Sequence, residues 1–414
     1  MRLVPSQPVT ILSDRVDRRY IPLMERLPNG TLRLSIGIGP DNNFTPCHSY
    51  HSYDGGRSWQ EAPTPCPRLQ QCITMSDGSY FENDGYLWQD SQEPEWFWGN
   101  GGFSADGVTF NHEHIRLHAP GITTCTLRSM REMGQPQEPW FEILNHANHH
   151  DPDVGLDSAM IGNFTITSVI ELESPQHLMA AGYGRMPAYD KSLVMTLDSV
   201  DGGRTWTQGP VAAVSEGDPE GADEPSLVQL ENGDLYIMSR TGALMLQVRS
   251  SNGGKTWSDP ERIQLADTGE YITGVWPIIR RLRNGGLVCT YGRPKSTFHS
   301  LEAAADFDYV AEHSGHCGKF VMIDPSGTGN NWQGRIDLHE LEIALQAQMG
   351  VPENERLRVQ EDTNVRDSNS WEYLSLNEVE DDVLLVTYDV QRFRENWNSH
   401  PVYGVRMVRV TVER

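Results

Sequence analysis

Basic charge is scarce in this sequence: 33 Lys and Arg stand against 57 Asp and Glu, a formal net charge of −24. Such a surface lacks the basic patch that nucleic acid or an anionic membrane needs, so neither is an expected partner. A local arginine cluster still outweighs a distant acidic field at short range, which leaves an anionic small substrate open. Cysteine is scarce too. Cys47, Cys66, Cys72, Cys125, Cys289 and Cys317 form no C-x-x-C pair, which argues against a zinc ribbon. No apolar run approaches the length of a membrane span. The opening residues, MRLVPSQPVT, lack the charged-then-apolar pattern of a signal peptide. The expectation is a reduced, cytoplasmic protein, with a processed secreted form as the alternative.

Turn formers and strand formers are plentiful. Gly 38 and Pro 25 imply many turns, and Tyr 14, Phe 11 and Trp 11 supply bulk suited to strands. This mixture points to a mostly β chain. At 414 residues it is long for one ordinary compact domain, a limit that repeat folds escape because each unit packs only on its neighbours.

A repeat is present. Ser52–Trp59 (SYDGGRSW), Ser199–Trp206 (SVDGGRTW) and Ser250–Trp257 (SSNGGKTW) share the pattern S-x-[DN]-x-G-x-[ST]-W. A shortened copy runs from Ser104 to Phe110, and a stretched one from Asp324 to Trp332. The chemistry is that of a self-satisfied turn: Asp or Asn accepts from nearby backbone N–H groups, and Gly supplies positive φ. The closing aromatic is suited to plugging between sheets. Spacings of about 50 residues between such aromatics match one propeller blade.

Six segments read as strand, polar turn, strand: 20–37, 73–89, 166–184, 225–240, 276–293 and 373–390. Asn-Gly at 29–30, 232–233 and 284–285 is a hairpin cue. Each of the first five is followed by a turn motif. The sixth is followed by the terminal strand VYGVRMVRVTVER, which VPSQPVTILS from the beginning of the chain could complete. The expected fold is therefore all-β, a six-bladed β-propeller forming a single domain over 1–414. It carries insertions at about 113–165 and 295–318, and a short helix at about 338–350. Residues 113–165 are too long for a loop between blades, and a seventh blade there is the alternative.

The repeated turns resemble the Asp-boxes, or BNR repeats, of the sialidase superfamily, over most of residues 15–410. The resemblance implies a Tyr nucleophile activated by a Glu, an Asp acid/base and a clamp of arginines on a substrate carboxylate. A neutral phenol approaches an anionic sugar without repulsion, and guanidinium forks match a carboxylate. Such sites often read Y-S-x-L before a hairpin ending Y-E. Here Tyr373-Leu-Ser-Leu opens a hairpin that ends Tyr388-Asp389, which implies Tyr373 as nucleophile. Glu224, before the hairpin that ends at Arg240, matches the partner Glu, and Arg240 a clamp residue. Arg293 and Arg185 end their hairpins likewise, and Asp41 is the acid/base candidate. Where the family has R-I-P, this chain has Tyr20-Ile21-Pro22, so the first clamp arginine is missing.

The histidines open a second route. His48 and His51 precede the first turn motif, and imidazole is poised for acid/base work near neutral pH. The run from His146 to Asp153 (HANHHDPD) offers metal-ligand chemistry, but its spacing matches no standard pattern, and neither a metal nor a cofactor is expected. Trp276 is placed to stack on a sugar ring. The expected function is hydrolysis of a terminal, acidic sugar from a glycan by Tyr373, Glu224 and Asp41. Arg240, Arg293, Arg185, His48, His51 and Trp276 would contact the substrate. The alternatives are a propeller glycosidase or polysaccharide lyase using His, and a carbohydrate-binding propeller without catalysis.

Overall fold

The computed structural model describes residues 1–13, 20–38, 48–62, 71–83, 85–90, 92–107, 109–120, 163–172, 174, 176–184, 191–218, 220–292, 297–305, 318–353, 373–390 and 404–414. Antiparallel strands dominate. Three sheets have four strands each. The first contains Tyr20–Arg26, Leu32–Ile38, His48–Ser52 and Gln60–Glu61; the second runs from Asp223–Gln229 to Glu261–Arg262; the third runs from Val275–Arg281 to Gln333–Asp337. A nine-stranded sheet spans Gln71–Thr74 to Thr205–Ala213. It holds two hairpin-based units joined directly. Tyr86–Gln89 pairs with Asn163–Glu171, and Asn111–His118 runs parallel to Thr205–Ala213. The last sheet has five strands: Leu374–Glu380, Val383–Val390 and Gly404–Glu413, with Arg2–Pro5 and Val9–Ser13 both pairing with the final strand. The two ends of the chain thus complete one sheet, as the sequence predicts.

The hairpin expected over 73–89 differs in detail. Its strands are Gln71–Thr74 and Tyr80–Asn83. Asn83 Oδ1 then accepts from the Gly85 N–H at 2.7 Å, and the chain turns away at Gly85 (φ 80°) to pair elsewhere. The expected helix is present as Leu338–Gln348. Its N-cap is Asp337, whose side chain accepts from the His339 N–H at 2.9 Å. Glu342 on that helix is buried and forks onto the buried Arg406 at 3.2 Å through both Nε and Nη2.

The repeated turns behave as their chemistry predicts. Ser52 Oγ donates to Asp54 Oδ1 and accepts from the Gly56 N–H, both at 2.8 Å. Ser58 Oγ donates to Asp54 Oδ2 at 2.6 Å, and the Ser58 and Arg57 N–H groups donate to its Oδ1 at 2.9 Å; these bonds, the Ser58 hydroxyl first, hold the carboxyl well below the usual range. At Ser199 with Asp201, and at Ser250 with Asn252, the Ser Oγ again donates to the Asp or Asn and accepts from the N–H of the second glycine, and the Asp or Asn Oδ1 accepts from the Thr N–H. The second glycine of the motif has a steric duty. A Cβ on Gly203 (φ 97°) would lie 2.7 Å from the Phe81 ring in the preceding unit. A Cβ on Gly56 (φ 83°) would lie 2.2 Å from Leu385 Cδ1, in the sheet that contains both ends of the chain. Each turn is therefore pressed onto a neighbouring sheet.

The cores lie between successive sheets. Trp206 is fully buried among Phe81, Phe97 and Phe103 of the preceding unit. Trp332 packs with Tyr236 and Met238 of the sheet before its own, and its indole N–H donates to Tyr236 Oη at 3.1 Å. Sheets stacked face to face at about 10 Å leave room for such interdigitated side chains.

Candidate active site

Two prolines shape the centre of the site. Glu224-Pro225 and Trp276-Pro277 occupy the same place in consecutive hairpins, at the start of Asp223–Gln229 and of Val275–Arg281. Proline has no N–H for a ladder and sits in sheets at bulges. Both hairpins slip register there. From Asp223 to Ser226 the chain takes three steps against two on the partner strand, and from Val275 to Ile278 it does the same. The slip leaves Glu224 at φ 45° and Trp276 at φ 49°. A left-handed conformation at bulky residues costs about 1–3 kcal/mol each, and such strain gathers at functional positions.

The turned residues meet. Glu224 is 6% exposed. Its Oε2 accepts from the Trp276 backbone N–H at 2.8 Å, and its Oε1 accepts from Arg240 Nη1 at 3.0 Å. Ser226 Oγ accepts from the Ile279 N–H at 2.9 Å, which ties the same two strands further along. The Trp276 ring, itself buried, packs edge-on against Tyr373, with centroids 5.1 Å apart and an angle of 81°. Trp276 Nε1 is a buried donor with no hydrogen-bond partner among the described residues. Trp276 therefore touches both residues that the sequence pairs as base and nucleophile, Glu224 through its backbone and Tyr373 through its ring.

Acidic groups crowd this point. Asp223 pairs with Arg240 across the ladder, and its carbonyl accepts from Ser239 Oγ at 2.6 Å. Burial, reinforced by the Glu224 charge, pushes the Asp223 carboxyl up to about 8. Burial also raises Glu224, against the pull of Arg240. Glu220 takes the rest of the arginine: Arg240 Nε and Nη2 each donate to it at 2.6 Å. Sequence reasoning passed over Glu220 and Asp223. The run Glu220-Gly-Ala-Asp223-Glu224 places three carboxyl groups within five residues and was the available signal.

The other expected site residues fall apart from this cluster or outside the described residues. Tyr20 begins the strand Tyr20–Arg26, at the place of the missing arginine. Asp41, Arg185 and Arg293 lie outside the described residues, as does the run from His146 to Asp153. His48 begins the strand His48–Ser52, and its side chain lies outside the described set. His51 is placed differently from expectation. It pairs with Arg33, which pairs with Glu25 near the far end of Tyr20–Arg26. Its ring meets Tyr53 edge-on at 6.1 Å, and burial with the nearby Arg33 lowers its pKa. The reason is its position beside the Ser52 turn, about 16 Å along the strands from Tyr20 at roughly 3.3 Å per residue. Arg33 in turn is buried with Glu25, Glu82 and Tyr80.

Known proteins share this architecture. The BNR repeat-like domain family matches residues 163–342, which contain Glu224, Arg240 and Trp276. No curated protein sequence matches the chain. Among solved structures, a protein of unknown function from Dyadobacter fermentans superposes with a TM-score of 0.59 at 15% identity, covering 99% of both chains. An α-L-arabinanase of Penicillium chrysogenum, complexed with arabinobiose, gives 0.54 at 13% identity over 99% of this chain and 98% of that one. A sialidase of Streptococcus pneumoniae gives 0.51 at 10% identity over 97% of this chain and 70% of that one. At such identities the likeness is one of fold, shared here with glycoside hydrolases. The chain thus combines hydrogen-bonded turn repeats and all-β sheets with a match to the BNR repeat-like domain over residues 163–342.

Proposed function

We propose that the chain is a six-bladed β-propeller glycosidase that removes a terminal sugar from a glycan, with Tyr373 as nucleophile and Glu224 as the base that takes its proton. Six blades are supported by the three four-stranded sheets, the two units of the nine-stranded sheet and the sheet built from both chain ends. The seat of Gly56 on Leu385 supports closure between the first and last of them.

The observation that carries the reading is the double contact of Trp276, which holds Glu224 by its N–H and Tyr373 by its ring. A carboxylate raised by burial is a better base for a phenol than an exposed one. Asp41 is carried forward from the sequence as the acid/base. The arabinanase and sialidase neighbours both act on glycans, which fits this substrate class.

A second reading is favoured by Asp223, whose proton is held up to about 8 beside Glu224. Two carboxyl groups with separated ionisation are the usual equipment of glycosidases, and Glu224 would then attack the sugar itself. One experiment separates the readings. The chain is assayed on a panel of 4-nitrophenyl glycosides and polysaccharides, with reducing-end and unsaturated products both measured. Tyr373→Phe is expected to lower turnover by about 10³-fold or more while the protein stays folded. Full turnover in that variant, with loss in Glu224→Gln, transfers the role of nucleophile to Glu224. No cleavage of any glycan by the unmodified chain overturns both.

A further inference from the structure

We infer that Glu220 is a specificity-determining residue: it occupies the arginine fork that would otherwise hold a substrate carboxylate, and so commits the site to an uncharged sugar. The inference rests on the reading of the Glu224–Tyr373 region as a glycosidase site.

Arg240 is the described arginine at this site, and its donors are directed at protein carboxylates. Nε and Nη2 form a side-on fork with both oxygens of Glu220 at 2.6 Å, and Nη1 reaches Glu224 at 3.0 Å. A bidentate fork of this kind is the geometry by which a guanidinium recognises a carboxylate ligand. Here the ligand is supplied by the chain.

The surroundings hold Glu220 in place. Its backbone N–H donates to the Thr241 carbonyl at 3.1 Å. Two residues before it, Asp218 pairs with Arg262 at 2.6 Å, and its carbonyl accepts from Lys191 Nζ at 2.6 Å. Gly242 (φ 75°) leaves room for the side chain, since a Cβ there would lie 2.7 Å from Glu220 Cγ. Glu220 and Arg240 keep 29% and 18% of their side-chain surface exposed, so the pair borders open space. The cluster is not positive. Glu220 and an ionised Glu224 carry two negative charges against the one of Arg240, which repels an anionic ligand. The proposed uncharged sugar stands against the acidic one expected from the sequence.

The test uses D-glucuronate as the anionic probe, titrated by calorimetry into the full chain, Glu220→Gln and the double variant Glu220→Gln/Arg240→Gln. Glu220→Gln is expected to bind glucuronate at least about tenfold more tightly than the unmodified chain, because one charge-assisted fork becomes available. The double variant is expected to lose that gain. Equal binding by the unmodified chain, or no gain in a folded Glu220→Gln, overturns the inference. A second measurement needs no variant: matched 4-nitrophenyl glucosides and glucuronides, and galactosides and galacturonides, given to the unmodified chain. Faster cleavage of the uronides overturns the inference. Cleavage of neither member places the sugar outside these pairs, the full glycan panel then decides the glycosidase reading, and the glucuronate titrations still decide the role of Glu220.

Discussion

Trp276 donates its backbone N–H to Glu224 at 2.8 Å while both residues hold left-handed backbone conformations, φ 49° and 45°. Neither conformation is one that a Trp or a Glu adopts without compensation. The hydrogen bond into a buried carboxylate and the packing of the indole on Tyr373 offset the strain.

Replacing Trp276 by Ala removes the ring contact and leaves a cavity. A loss of about 3–5 kcal/mol is expected, read by urea unfolding. Turnover should fall in the same variant, because Tyr373 loses its edge-on neighbour. Trp276→Phe, which keeps an aromatic ring there, should lose less of both.

Asp223 predicts a pH dependence. Its carboxyl is raised from 3.8 to about 8, so between those values the folded chain holds a proton that the unfolded chain has released. Its contribution to stability is full below about 3.8, declines as pH rises, and is gone above about 8. Chemical denaturation from pH 4 to 9 should show Asp223→Asn, whose side chain stays neutral, gaining stability relative to the unmodified chain as pH rises toward about 8. A constant difference across that range would contradict the assignment.

The seat of Gly56 can be tested by a double-mutant cycle. Gly56→Ala forces a Cβ to within 2.2 Å of Leu385 Cδ1 at a positive φ, and a destabilisation of about 1–3 kcal/mol or more is expected. Leu385→Ala alone leaves a cavity. The two changes together should cost less than their sum, which equilibrium unfolding of the four proteins measures.

Glu342 docks the helix Leu338–Gln348 on Arg406, with both partners at or below 1% exposure. Glu342→Ala leaves a buried guanidinium without its carboxylate, and a loss of about 3–5 kcal/mol is expected in a melting or denaturant experiment.

The sheets were legible because their signals are local. Asn-Gly turns and the Ser-x-Asp-Gly-Gly motif satisfy themselves within eight residues, so reading along the chain finds them. Glu224 and Arg240 were legible for a similar reason, since one hairpin carries both, with Arg240 opposite Asp223 and within reach of Glu224. Glu220 and Asp223 were missed because their meaning comes from what they face. Glu220 looks like any loop acid until Arg240 is seen to fork onto it. Trp276 was read as a stacking surface, and its backbone contact to Glu224 depends on a register slip that no spacing rule announces. His51 was drawn into the site by its residue type, whereas strand register carries it to the far end beside Arg33.

The pairing of Arg2–Pro5 and Val9–Ser13 with Gly404–Glu413 bears on how the chain folds. Residues 2–5 and 9–13 find their strand partner only in residues 404–413, so this sheet is assembled from segments far apart in sequence. Pairing these strands closes a loop of about 400 residues, whose entropic cost grows only with the logarithm of length. The same adjacency, marked by Arg2 Nη2 donating to Glu413 Oε2 at 2.9 Å, makes the chain a natural subject for circular permutation. A short linker between those ends, with new ends opened in a turn such as Asn232-Gly233, would convert this pairing into a contiguous hairpin and should speed refolding.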